Sequence, residues 1–340
     1  MKKSLLSILG AGLALAAAGQ QRPHYTQYIL NNYILNPALA GIENYGDLKF
    51  SIRDQWAGLD GAPRTTYLTY HQPIGKQDFK PSPTGFGVPG ENPRGENYWG
   101  AYEASAPHHG IGFVVMNDRT GNLNRFTANV AYAYHLGLSS KLNLAAGVSA
   151  GVSKMGYDRS KATPAVANDV ALGDVNVYLS KFRPDLNVGL WLYGADFFVG
   201  LSAQQVIPQK FVVADDASFN KGKLVPHLFG TVGYRFLLSE DVNATPSMLV
   251  KYVAGSPVPL QYDFNVKLQY RDLLWLGGGY RLKEGYSGML GLNVGNTFNI
   301  SYAYDYTTTA INTASKGTHE LVIGFLLGNR YGDTCPRNVW

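Results

Sequence analysis

Cysteine is almost absent: Cys335, near the C-terminus, is the only one in 340 residues. An internal disulfide framework is therefore excluded, and a thiol so far from the start cannot be a lipoprotein's acylated residue. Charge is scarce as well, at 16% of the chain, and the formal balance of +5 is spread without a Lys/Arg block. Nucleic-acid binding gains no support from that distribution. A weak positive balance would suit lipopolysaccharide or an acidic partner, but solvated loop charge explains it more simply. After the first twenty residues no stretch approaches the ~20 continuous apolar residues that a membrane helix requires.

What is present points elsewhere. Lys2 and Lys3 precede an apolar core from Leu5 to Leu15, and small residues Ala16 to Gly19 follow. This is the pattern of an export signal, with cleavage after Ala18 or Gly19, so residues 1–19 are left out of the fold. The rest is rich in glycine (39) and tyrosine (23), with 15 Phe and 5 Trp. A glycine-rich, aromatic, exported chain without a spanning helix fits the other structure that hydrocarbon permits, a closed β-barrel.

Alternation supports that reading. Leu260, Tyr262, Phe264, Val266, Leu268 and Tyr270 alternate with Gln261, Asp263, Asn265, Lys267, Gln269 and Arg271. A period of two is a strand's, never a helix's. Similar runs predict about fourteen membrane strands. They cover 47–55, 64–71, 110–117, 125–136, 141–153, 185–193, 196–204, 227–238, 242–252, 259–270, 273–282, 286–295, 297–307 and 318–328. Pro246 weakens the ninth, and the eleventh begins almost without alternation.

An even strand count puts both ends of the barrel in the periplasm. Tight connections at Gly137–Ser140, Gly194–Ala195, Ser239–Asp241, Asp272 and Asn296 then fall on that side, and the long ones, 154–184 and 205–226, on the other. Residues 72–109, rich in Pro and Gly, break the rule as a periplasmic insertion. They read as a disordered insert or as a docking segment, with Tyr98, Trp99 and Tyr102 as candidate partner contacts. Residues 20–46 form a plug-like segment before the barrel (47–328), and a tail (329–340) follows it. Tyr25, Tyr28, Ile29, Asn32 and Tyr33 have helical spacing, stopped by Pro37, which predicts a short helix in the lumen or at the periplasmic mouth.

Two blocks carry a resemblance. The first contains Tyr25, Thr26, Gln27 and Tyr28, then Asn31, then Asn36, Pro37 and, after Ala38-Leu39-Ala40, Gly41. The second runs from Arg53 through Gln55, Trp56, Gly58, Pro63 and Thr65 to His71-Gln72-Pro73. Together they resemble the PorP/SprF family of Bacteroidetes. The resemblance implies an outer-membrane component of the type IX secretion and gliding machinery. Its partners would be a periplasmic peptidoglycan-binding lipoprotein, ring proteins, and secreted adhesins carrying a type B C-terminal domain. The alternation turns Arg53 toward the lumen, where it needs a carboxylate or other acceptors; carbonyls of the N-terminal segment are the expected partners. We read the motif residues as holding that segment in place.

Chemistry-bearing motifs carry little. Gly147-Val148-Ser149-Ala150-Gly151 matches a nucleophile elbow, but lies inside an alternating strand with no helix after it. His108 and His109 are adjacent and point opposite ways on an extended chain, with no further ligands at useful spacing. Neither His71 nor His135 is placed beside a serine, and Gly277-Gly278-Gly279 lacks a phosphate-loop context. No cofactor, metal or enzymatic activity is expected. Two alternatives remain, a channel or hydrophobic-solute transporter and an outer-membrane lipid hydrolase.

Overall fold

The computed structural model describes residues 23–76, 102–158, 178–211, 222–255, 259–271, 273–295 and 297–329. Residues 1–19, predicted as an export signal, most of the 72–109 insertion with Tyr98 and Trp99, and nearly all of the tail therefore lie outside the described residues. No helix among those described is long and apolar enough to cross a membrane.

Fourteen strands form one antiparallel ring. They are β1 (Gly46–Asp54), β2 (Arg64–Ile74), β3 (His108–Thr120), β4 (Leu123–Ser139), β5 (Leu142–Asp158), β6 (Tyr178–Tyr193) and β7 (Phe197–Gln204). After them come β8 (His227–Tyr234), β9 (Val242–Val253), β10 (Gln261–Tyr270), β11 (Leu274–Arg281), β12 (Gly285–Val294), β13 (Phe298–Thr307) and β14 (Thr318–Leu327). Each pairs with its chain neighbours, and β1 with β14 closes the ring, Gly46 opposite Leu327 through Asp54 opposite His319. A separate ribbon joins Gln209–Phe211 to Gly222–Leu224.

The alternation is inside out relative to a soluble protein. Along β10, Phe264, Val266 and Leu268 are 43–45% exposed on the outer face, whereas Asn265, Lys267 and Gln269 are only 4–7% exposed in the lumen. A chain placed this way loses no apolar contact in lipid and hydrates no charge there.

Every predicted strand is present, but several are longer. β5 runs to Asp158 and β6 starts at Tyr178, so the connection predicted as 154–184 narrows to 159–177. Backbone pairing outlasts hydrophobic contrast here, since beyond Ser153 the outward positions become Lys154, Gly156 and Asp158 while Met155 and Tyr157 turn inward, and the periodic signal is lost. Pro246 leaves β9 intact, paired with Val266, and breaks its other neighbour instead. Lacking an N–H, it cannot continue the ladder. β8 stops at Tyr234 and resumes only at Phe236–Leu237, while the N–H of Arg235 bonds to the Asp196 carbonyl at 2.6 Å.

Candidate functional site

Residues 23–45 thread the lumen from the rim with long connections to the rim with tight turns, where Gly46 starts β1. The predicted helical plug segment is present, but not as one continuous helix. Three short 3-10 turns replace it, Gln27–Leu30, Asn32–Ile34 and Pro37–Leu39. Asparagines between and within the turns favour local side-chain bonds over a continuous helix, and the barrel wall offers partners all round. Asn36 caps the third turn, accepting from the Ala38 N–H at 3.0 Å with Pro37 at the first turn position. Its amide nitrogen reaches the wall carbonyls of Leu190 (3.0 Å) and Leu201 (3.2 Å).

At the long-connection rim a charged latch holds the start of the segment. Arg53 donates to Glu320 (2.8 Å), Asp305 (2.7 Å) and the Thr26 hydroxyl (2.8 Å). Glu320 in turn accepts from the Thr26 N–H at 2.9 Å, and Asp305 from the Thr26 hydroxyl at 2.6 Å. Gln27 donates to the Glu320 carbonyl (2.8 Å) and accepts from Ser301 (2.5 Å). The expected carbonyl partners of Arg53 are thus replaced by two carboxylates of β13 and β14 and one plug hydroxyl. A guanidinium 3% exposed beside a fully buried Glu320 needs charge compensation that carbonyl dipoles do not provide.

Further along, Tyr25 donates to Met116 Sδ (2.7 Å) and meets the Tyr67 ring edge-on. Asn265 donates to Tyr28 Oη (2.6 Å), and Asn31 donates to Thr69 (2.9 Å). Ser202 and Gln204 donate to the Leu35 carbonyl. Near the tight-turn rim the approach becomes backbone to backbone. A side chain on Gly147 would overlap Ala38, and one on Gly110 would overlap the Ala40 carbonyl. Gly41, at φ +75°, sits against Gly110. His71 Nδ1 accepts from the Gly41 N–H at 3.3 Å, and His135 Nε2 donates to the Ala40 carbonyl at 2.8 Å. His108 stacks on His135 with centroids 4.5 Å apart. His109 points outward to Tyr132, so the adjacent histidines diverge as expected.

The second motif divides in two. Arg53 and His71 touch the segment. Gln55, Trp56, Gly58 and Pro63 build the β1–β2 hairpin, with Trp56 (φ 54°) and Gly58 (φ 91°) in left-handed conformations. That hairpin leans on the β13–β14 connection through Trp56 N–H to Thr318 (3.1 Å) and Ala57 N–H to the Gly317 carbonyl (2.8 Å). Thr65 donates to Asp118 at 2.7 Å. Tyr102, expected as a partner contact, is buried, 2% exposed, against Asn143. Its phenol finds a polar partner inside the barrel, where an aromatic hydroxyl is stable.

Several seat residues escaped the sequence reading: Glu320, Asp305, Ser202 and Gln204, while His108, weighed there only as a metal ligand, places its Nε2 3.2 Å from the Gly41 carbonyl. Glu320 left a trace, as the only acid of β14, on its luminal side. Among catalytic candidates, Ser149 accepts from Asn187 at 2.9 Å within β5. Among the described residues no cluster of three or more potential ligands could hold a metal ion.

Between the latch and the rim lies a cavity of about 270 Å³, bounded by His24, Arg53, Trp56, Asp263, Arg281 and Asp305 among others. Arg281 pairs with Asp263 at 3.0 Å. Burial, and then the charges of Lys251 and Arg281, push the pKa of His24 well below its ordinary 6.5. Lys251 donates to His24 Nε2 at 3.2 Å, which requires that nitrogen unprotonated. Glu284 lies 3.7 Å from Nδ1. The released segment therefore takes up a proton before the seated one does. Seating is complete above the ordinary histidine pKa and weakens as pH falls below about 6.5. Hydrogen exchange at Tyr25–Tyr28 should quicken between pH 7 and pH 5, beyond the intrinsic pH dependence, and H24Q should flatten that excess.

A lipid-facing closed ring with a polar lumen filled by its own N-terminal segment defines an outer-membrane β-barrel. The family model for type IX secretion system membrane proteins PorP/SprF matches residues 17–325, and the chain belongs to that family. It is thus a type IX secretion component of the outer membrane. No curated protein matches the sequence. Among solved structures, the Ralstonia pickettii toluene transporter TbuX is similar at TM-score 0.51 and 10% identity, over 88% of this chain and 94% of that one. The CymD monoaromatic hydrocarbon channel follows at TM-score 0.46 and 10% identity, covering 92% and 95%. A Pseudomonas aeruginosa FadL homologue gives TM-score 0.44 and 9% identity, covering 91% and 95%. At these identities the likeness concerns the fold alone.

Proposed function

We propose that this protein is a sealed, non-enzymatic anchor that couples the outer membrane to the periplasmic part of the type IX machinery and supports surface attachment of cargo adhesins. One observation carries the reading. The family's first motif fills the barrel, and Arg53 and His71 of the second hold it there, so the most distinctive residues close the lumen instead of lining a path. The tight-turn rim, with both barrel ends and the insertion between β2 and β3, then faces the periplasm. The long connections face outward, toward cargo. Export would use residues 1–19 as a cleaved signal.

Deleting the part of the insertion between Lys76 and Tyr102 tests the coupling. Co-purification of the peptidoglycan-binding lipoprotein and ring proteins from native outer membranes should fall about tenfold while the barrel still assembles; undiminished recovery would contradict the docking role. A second reading is transport of a hydrophobic solute, favoured by the fold shared with TbuX, a toluene transporter. The mouth cavity speaks against it, since Arg53, Asp263, Arg281 and Asp305 border it and charge disfavours an apolar occupant.

A further inference from the structure

The outer wall carries a polar feature unrelated to the luminal seat. On β2 the alternation buries Thr65 and leaves Arg64 outside; on β3 it turns Asp118 in, to Thr65, and Arg119 out. The register sets Arg64 directly opposite Arg119, so two exposed guanidinium side chains stand together on one sheet face. Like charges so placed are destabilising. Among the described residues neither arginine has an ion-pair or hydrogen-bond partner, although Asp54 lies opposite Arg64 on the other side.

One register row deeper, Lys154 on β5 stands between Phe126 on β4 and Phe182 on β6, its ammonium 5.2 Å from the Phe182 ring centroid. The row below is apolar: Leu68, Val115, Ala128 and Val152. Strands about 4.8 Å apart place the three cations within roughly 15 Å along the rim. That span lies within the reach of these long side chains for phosphates on one saccharide headgroup, and acyl chains can lie along the apolar rows beneath.

We propose that Arg64, Arg119 and Lys154 form a binding site for the phosphorylated headgroup of lipid A, on the outer-leaflet side of the barrel. A bridging phosphate turns the repulsive arginine pair into a bidentate anion clamp, and Lys154 adds a point charge at the acyl boundary. The site rests on the orientation given under the proposed function, with the long connections outward.

Native mass spectrometry of the full-length protein in detergent tests it, independently of secretion or docking. Phosphorylated lipid A should bind about tenfold more tightly than its dephosphorylated form. R64Q/R119Q should lose about that factor, and K154Q a smaller one. K141Q, at the opposite rim, should leave binding unchanged. The double variant should keep its melting temperature in lipid-free detergent, because it removes a like-charge contact. Equal binding of dephosphorylated lipid A, or unaltered binding by R64Q/R119Q, would overturn the site. Phosphatidylglycerol binding as tightly as lipid A would overturn the assignment to lipopolysaccharide.

Discussion

Replacing Arg53 with glutamine is expected to unseat the start of the luminal segment and lower the melting temperature in detergent more than any other single exchange in the second motif. Arg53 alone bridges Glu320, Asp305 and Thr26. Glutamine would leave one fully buried carboxylate and one mostly buried carboxylate facing each other with the bridging guanidinium gone. Removing one partner of a buried pair costs about 3–5 kcal/mol, mostly from stranding the other charge. Hydrogen exchange at Thr26 and Gln27 should accelerate by orders of magnitude, because both N–H groups lose a well-placed carboxylate. R53Q/E320Q should recover part of the loss, since the double change removes one stranded charge; the coupling read from that cycle measures the latch itself. An R53Q protein that melts with the wild type would mean that the latch contributes nothing to seating.

Gly147→Val should have the second largest effect, at the opposite end of the segment. A Cβ there would overlap the Pro37–Ala38 backbone, which cannot retreat without losing the two strand carbonyls that Asn36 holds. Overpacking costs typically about 1–3 kcal/mol where a side chain can yield and more where only backbone is in the way. Gly278→Val provides the control: this glycine faces open space, and valine suits a strand. G147V should expose residues 23–45 to protease from the mouth of the barrel and lower the melting temperature, whereas G278V should do neither. Equal behaviour of the two variants would show that the segment does not depend on close contact with β5.

The sequence made the wall far more legible than its contents. β10 and β13 could be read residue by residue, because lipid on one side and polar lumen on the other impose a contrast at every step. Where the contrast ends, as past Ser153 in β5, the strand continues unseen. The luminal segment obeys no such period. Its partners come from strands up to 294 residues away, as with Thr26 and Glu320, so helical spacing in Tyr25–Tyr33 suggested a helix that the surrounding wall makes unnecessary. The inward turn of Arg53 was legible from parity alone. Its two acids were not, because choosing Asp305 and Glu320 requires the register in which β14 meets β1 and β13, which closure alone does not fix. Tyr102 misled for a related reason: composition marks an aromatic residue but not the side of the wall on which its ring ends.

The claim on which the rest depends is that residues 23–45 keep the lumen shut. Recording current across a planar bilayer containing the purified full-length protein tests it most directly. The wild type should show no stable conductance at neutral pH, and R53Q should show discrete openings under the same conditions. Steady ohmic conductance from the wild type, unchanged in R53Q, would contradict a sealed barrel and favour the transport reading.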